Sequence, residues 1–294
     1  MPELLPEHDW HARMSAHEER ADRLTRDHLA RRRRQEKHPV YDFLFEYYPV
    51  RPAHLRRWHP GVGVDLEGES PQAQWRDYLL LDGRTTLDLP GFLARRGESV
   101  AYIRDLLHRT NLNPARFDCF GLHEWAMVYR TDSPRHDLPL RLGAAGSDAV
   151  VEKHRIRCTH FDAFRFFTPA ARPLNLTVLE REGQADNDQA GCVHATMDLY
   201  KWAAKLGPLV PGELLLDCFE LAVDARVLDM EASPYDCRAH GFGVVAIETP
   251  EGKAEYVERQ RNLAERGKPL RDRLVSLIDA AHATTLHGHG PSSQ

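Results

Sequence analysis

Gln189-Ala-Gly-Cys192-Val-His194-Ala-Thr-Met-Asp198-Leu-Tyr200-Lys201-Trp-Ala-Ala-Lys205-Leu206, then Gly207-Pro-Leu-Val-Pro-Gly212, then Glu213-Leu-Leu-Leu-Asp217-Cys-Phe-Glu220-Leu-Ala-Val-Asp224-Ala-Arg226-Val-Leu-Asp229-Met-Glu231 is the stretch that decides the fold. Each flank repeats its apolar residues at helical spacing, and the linker between them carries two glycines and two prolines that stop one helix and start the next. So short a linker forces the helices back on one another as an antiparallel pair. The expected fold is mainly α, a helical domain with this central antiparallel pair and a small β element.

Outward from the pair, Asp9 to Lys37 is polar nearly all round and reads as an exposed helix, ending before His38-Pro39 because the residue preceding proline avoids helical geometry. Val40 to Tyr48 is dense in aromatics and expected to be buried, and a short helix from Ala53 to Trp58 stops at His59-Pro60-Gly61. Tyr78 to Leu81, Asp82-Gly83 and Arg84 to Leu87 form the pattern of a β-hairpin with a tight turn. Helices are expected at Glu98 to His108 and Asp118 to Tyr129, a loop that bounds a domain or serves an active site at Arg130 to Gly146, and a strand at Val150 to Thr159. Two further helices, Glu251 to Glu265 and Pro269 to Ala283, close the chain before a disordered tail, 287–294. The organisation is a basic, aromatic-rich N-terminal helical region, 1–60, and a main helical domain, 61–286, in one compact domain overall.

The bulk properties remove several classes. No apolar run approaches the roughly 18 residues that cross a bilayer, so no membrane partner is expected. The N-terminus lacks the pattern of a signal peptide, which implies a cytoplasmic location. The five cysteines form no C-x-x-C pair and read as small buried side chains. Nucleophile-elbow, dinucleotide and P-loop signatures are absent. The net charge is −5, yet Arg20 to Pro60 holds eleven Lys or Arg against five Asp or Glu, a footprint suited to DNA phosphates or to a solvated helix face.

The candidate chemistry sits in three His/acid pairs within aromatic frames: His123-Glu124-Trp125, His160-Phe161-Asp162 with Phe164, and His194 with Asp198 and Tyr200. At about 100° per residue, His194, Asp198, Lys201 and Lys205 form one stripe and Glu213, Asp217, Glu220, Asp224 and Glu231 another. In one reading both stripes face water and the lysines pair with the acids. In the other, His194, Asp198, Glu220 and Asp224 converge on iron, manganese or zinc. Arg226 and Asp229 fall on the apolar side of their helix, a buried ion pair that fixes register or supports a site. His160 and Asp162, two apart in a strand, share one face and suit an Asp-oriented His or joint activation of water. Consecutive residues on a helix diverge, so of His123 and Glu124 only one enters a pocket; Glu124 beside Trp125 is the choice, a carboxyl raised in pKa by apolar surroundings.

The runs His38-Pro-Val-Tyr-Asp-Phe-Leu-Phe-Glu-Tyr-Tyr48, Arg51-Pro, Leu55-Arg-Arg-Trp-His-Pro-Gly61, Gly121-Leu-His-Glu-Trp-Ala-Met127, His160-Phe-Asp-Ala-Phe164, Met197-Asp-Leu-Tyr-Lys201 and Ala232-Ser-Pro-Tyr-Asp236 resemble a family of actinobacterial proteins commonly labelled 3-methyladenine DNA glycosylase. The resemblance implies a DNA-repair hydrolase that removes alkylated purines without a cofactor, with Asp162, His160 and Glu124 as catalytic candidates. Phe43, Phe45, Tyr47, Tyr48, Trp125, Phe164 and Phe166 would offer faces to stack a flipped base, and Arg31 to Arg34, Arg51, Arg56 and Arg57 would meet phosphates. His59-Pro-Gly-Val-Gly63 is similar to the phosphate-holding hairpin of helix-hairpin-helix glycosylases, with Asp77 and Asp82 the nearest downstream acids, although the acidic continuation departs from that pattern. Two alternatives stand beside this reading: a His/carboxylate metalloenzyme acting on a small molecule, and a non-catalytic helical protein that binds nucleic acid.

Overall fold

A computed structural model describes residues 2–287, with only the backbone of 285–287. In chain order the elements are β1 (Glu3–Leu5), α1 (Glu7–Arg33), α2 (Phe43–Glu46), α3 (Pro52–Leu55), β2 (Val64–Glu67), β3 (Tyr78–Leu81), β4 (Arg84–Leu87), α4 (Leu89–Leu112), α5 (Leu122–Ala126), α6 (Gly143–Lys153), α7 (Phe161–Phe164), α8 (Gln184–Asn187), α9 (Val193–Leu206), α10 (Gly212–Glu231) and α11 (Pro250–His287). The protein is mainly α with a small sheet, as the sequence implies. Of the tail expected over 287–294, His287 ends α11 and the rest lies outside the described residues.

α9 and α10 form the centre. α9 is buried without a break from Val193 to Ala203, and α10 buries most of its circumference, from Leu214 through Phe219 to Met230. Each leucine so buried contributes about 1.5–3 kcal/mol. The rest of the molecule packs around this pair. α11 lies against α4, α9 and α10, with Arg104 gripping Asp279 at 2.9 Å across the α4 contact. α1 crosses α10 and docks by Arg13 to Glu213 at 3.0 Å and Arg20 to Asp217 at 2.8 Å.

The hairpin forms as expected, Tyr78 opposite Leu87 and Leu81 opposite Arg84. Asp82 and Gly83 both take positive φ, 49° and 73°, the backbone that a tight turn between right-twisted strands needs. β2 and β1 extend it to a four-stranded sheet in the order β1-β2-β4-β3.

Three expectations change. The strand at Val150 to Thr159 is the end of α6 followed by extended chain whose Ile156 makes a single bridge to Asn175. The two last helices are one, α11, running through Pro269. Proline removes one backbone donor, but packing of α11 along three helices holds the rest of the ladder. Of the helix expected from Asp118 to Tyr129, only α5 is formed.

Candidate functional site

α9 has no outer face over its buried run, so its polar residues point into protein. The outward stripe expected for His194, Asp198 and Lys201 is therefore reversed: all three are buried. The acids of α10 pair instead with arginines of the flanking helices. Arg20 takes Asp217 and Glu220, Arg266 takes Asp224 at 2.5 Å, and Arg259 takes Glu231 at 2.6 Å. The metal quartet is not assembled, because Glu220 and Asp224 reach these arginines at the rim while His194 and Asp198 face the interior.

Two buried polar clusters flank His194. In the first, Arg226 and Asp229, one turn apart on α10, are joined at 2.7 Å. His123 Nε2 donates to the other oxygen of Asp229 at 2.8 Å, and Glu124 meets Arg226 at 3.3 Å. The expectation that only one of His123 and Glu124 reaches a site fails here. The ion pair spans a helical turn, so the diverging neighbours on α5 each meet one end of it. Arg226 also lies 4.1 Å over the Phe43 ring.

In the second cluster Asp198 accepts from Tyr48 Oη at 2.9 Å and from Lys201 Nζ at 2.5 Å. Lys201 also donates to Asp162 at 3.2 Å, and Arg165 and Arg181 close on the same carboxylate. His160 donates from Nδ1 to Asp188 at 2.9 Å, and its buried Nε2 lies 3.6 Å from Asp198 without a hydrogen bond. His160 and Asp162 thus face one cluster as expected, though by a different route. His160 caps α7, and Asp162 sits in its first turn.

His194 bridges the clusters through ring contacts, edge-on to His123 at 4.5 Å and stacked on His160 at 5.4 Å. Neither of its ring nitrogens has a hydrogen-bond partner among the described residues. Burial, then the neighbouring His123 charge, holds its pKa well below the ordinary histidine range, so it stays a neutral base. His123 goes the other way. Burial opposes its charge, but Asp229 outweighs this and raises the pKa. His160 is likewise raised by Asp188 against burial. Burial and the nearby Asp229 charge push the Glu124 carboxyl up, against the pull of Arg226.

A cleft of about 700 Å³ opens above His194, lined by Lys37, His38, Asp42, Glu46, Arg165 and His240 among others. At its foot is a space of about 20 Å³ bounded by Glu124, His194 and Arg226, room for one water molecule with polar partners. Phe43, Tyr47, Arg135, His136 and Phe166 line both. Arg135 and Arg165 lie over the Phe166 ring at 3.9 and 4.3 Å. Burial, Arg226 and Arg135 bring His136 down to about 4, so it is neutral here too. Arg135 and His136 come from the loop after Tyr129, a segment expected to bound a domain or to serve an active site.

Metal-ligating atoms do come together. His123, His194 and Asp229 place one each within 4.8 Å of one another, as do His160, Asp162 and Asp198. Each group already contains a protein cation, Arg226 on Asp229 and Lys201 between Asp162 and Asp198. A metal ion would meet the repulsion of that fixed charge.

Much of the basic N-terminal segment is internally balanced. Arg31 pairs with Asp42, Arg34 with Glu36, and Arg56 with Glu18 and Asp22, while Arg57 lies over Trp75. His59 to Gly63 is not a free phosphate hairpin. Val62 N–H donates to Leu209 O and Gly212 N–H to His59 O, so the segment is fastened to the α9–α10 linker, and β2 follows it rather than a helix. Asp77 pairs with Arg95 at 2.7 Å, away from the cleft. The five cysteines are free thiols, three buried and two half-buried.

Sequence reasoning missed Asp188 and Gln184, whose amide donates to Asp188 at 3.0 Å, and read Tyr48 as a stacking ring rather than a donor to Asp198. It placed Lys201 in solvent, although the aromatic residues on either side of it already marked α9 as apolar on more than one face. Fold and site together define a class: a mainly helical protein whose buried histidine–acid core opens, through a water-sized space, on a cationic aromatic cleft. The chain matches no family model, no curated protein and no solved structure. Among the described residues, no helix is long and apolar enough to cross a membrane.

Proposed function

We propose that the protein is a hydrolase of the N-glycosidic bond, acting on alkylated purines in DNA. The observation that carries this reading is the space for one water between Glu124 and His194 at the foot of an aromatic, cationic cleft. An alkylated purine is cationic and leaves as a neutral base, so its release needs a positioned water and little acid assistance. Phe43, Tyr47 and Phe166 offer faces on which such a ring stacks, and Lys37 and Arg135 offer charge to the phosphates around it. Water held against Glu124 passes a proton to neutral His194. Its oxygen bonds to the sugar carbon as the C–N bond breaks, and the bonding pair departs with the base. Asp162 and His160 then act as positioning residues, since Asp162 is engaged by Lys201 and His160 by Asp188.

Release of base from alkylated DNA tests the reading. Wild-type protein should release it, and His194→Phe and Glu124→Gln should each lower the rate by about 10²–10⁴-fold with the fold intact. DNA binding without release would leave the non-catalytic nucleic-acid reading. Absence of release from both DNA and free alkylated nucleosides would remove the glycosylase reading. A second reading, a metalloenzyme using iron, manganese or zinc, rests on the two His/Asp groups, where the ion would have to displace Arg226 or Lys201 from the shared carboxylate. Stoichiometric metal in purified protein, lost in Asp229→Asn or Asp198→Asn, is its signature.

A further inference from the structure

Across a wall made by Tyr47 and Arg165 lies a second cavity, of about 460 Å³, that the proposed hydrolysis does not use. Four cations line it, Arg165, Arg181, Lys201 and Lys205, against two acids, Asp162 and Glu182. Asp162 is shared among Lys201 at 3.2 Å, Arg165 at 3.3 Å and Arg181 at 3.4 Å. Lys201 is further balanced by Asp198 behind it. The two guanidinium groups touch Asp162 through one nitrogen each, and a guanidinium carries five N–H donors, so most of their donors remain available. Lys205 has no acidic partner among the described residues; its ammonium lies 5.1 Å over the face of Trp202. Tyr102 meets the same ring edge-on at 6.2 Å, giving the cavity an aromatic wall.

A concave site with surplus guanidinium and ammonium donors is built for a multi-oxygen anion. We propose that this cavity binds a phosphate group, held by Arg165, Arg181 and Lys205. It lies outside the water-sized space, so the inference stands or falls separately from the hydrolase reading. The phosphate could belong to the diester backbone of a strand or be a terminal monoester, and the chemistry of recognition is common to both.

The test is calorimetric titration of the full chain at low ionic strength with inorganic phosphate. Saturable binding at or below about 1 mM is expected. The double variant Lys205→Gln/Arg181→Gln, changed at exposed positions, should weaken it at least tenfold with an unchanged circular dichroism spectrum. Lys268→Gln, at an exposed position on α11 that lines neither cavity, should leave it as it is. A dinucleotide with a 5′-phosphate and one without separate the sources: binding of both points to the diester, binding of the first alone to the monoester. No saturable phosphate binding up to about 10 mM, or equal binding by the double variant, overturns the inference.

Discussion

Asp229 is held between two cations, with Arg226 on one oxygen and His123 on the other, and all three are buried. Burial raises the energy of its charge, yet those partners hold its pKa far below the usual carboxylate range. Asp229→Asn keeps the shape and removes the charge, leaving the buried Arg226 without its closest partner. The expected loss is about 3–5 kcal/mol, read from the urea midpoint and slope of purified protein. A variant as stable as the wild type would show that the pair contributes nothing net. Half of this arrangement was legible. Arg226 and Asp229 fall on the apolar side of an obvious helix, which marks them as a buried pair. Their link to His123 joins positions 106 residues apart, and no local pattern encodes that.

At the scale of elements, sequence period succeeds where local forces decide and fails where packing does. The hairpin was legible to the residue because Asp82-Gly83 meets a backbone requirement that few other pairs meet. The α9–α10 pair was legible from its linker. The facing of α9 was not: a polar stripe normally marks solvent, and only the surrounding helices turn this one inward. Val150 to Thr159 read as a strand through its β-branched and alternating residues, but α6 begins earlier and carries helix as far as Lys153. Pro269 likewise suggested a break that packing overrides. Gly61 shows how tightly the linker is held. Its φ is +95°, and a Cβ there would lie 2.7 Å from the Pro211 ring. Gly61→Ala should therefore cost about 1–3 kcal/mol, seen as a lower melting temperature, and should loosen the join between the sheet and the helix pair. An unchanged melting temperature would mean that the linker moves freely to make room.

The whole molecule gathers histidines of opposite habit. His194, His136 and His17 are held neutral, each first by burial, whereas His123 and His160 are held charged by Asp229 and Asp188 against burial. An unfolded chain protonates all five near pH 6.5. For the neutral set, folded stability is present above that pH and declines as pH falls toward the folded values. For the charged set it is complete below about 6.5 and is lost as pH rises through the raised values. Stability should therefore peak near neutrality and fall on both sides. His194→Phe should flatten the acid limb by up to about 1.4 kcal/mol per pH unit, the share of one proton, in denaturation series between pH 7 and 5. An acid limb unchanged by that substitution would show that His194 takes up its proton in the folded state as readily as in the unfolded one. Above this scale the chain gives less. The His/acid frames announced a polar interior, but the cleft that serves it is assembled from α2, the loop after Tyr129 and the segment after α7, and such an assembly is visible only once the chain has folded.

The enclosure of α9 also decides how anything travels to and from His194. A helix walled in from Val193 to Ala203 cannot swing aside, and the helices around it are tied to one another by arginine–carboxylate clasps. A route from the outer cleft to the inner space then runs through a doorway framed by Tyr47, Arg135 and Phe166, which line both. On that route the traffic is sequential: whatever lies in the outer cleft must clear the doorway before the inner space can be refilled.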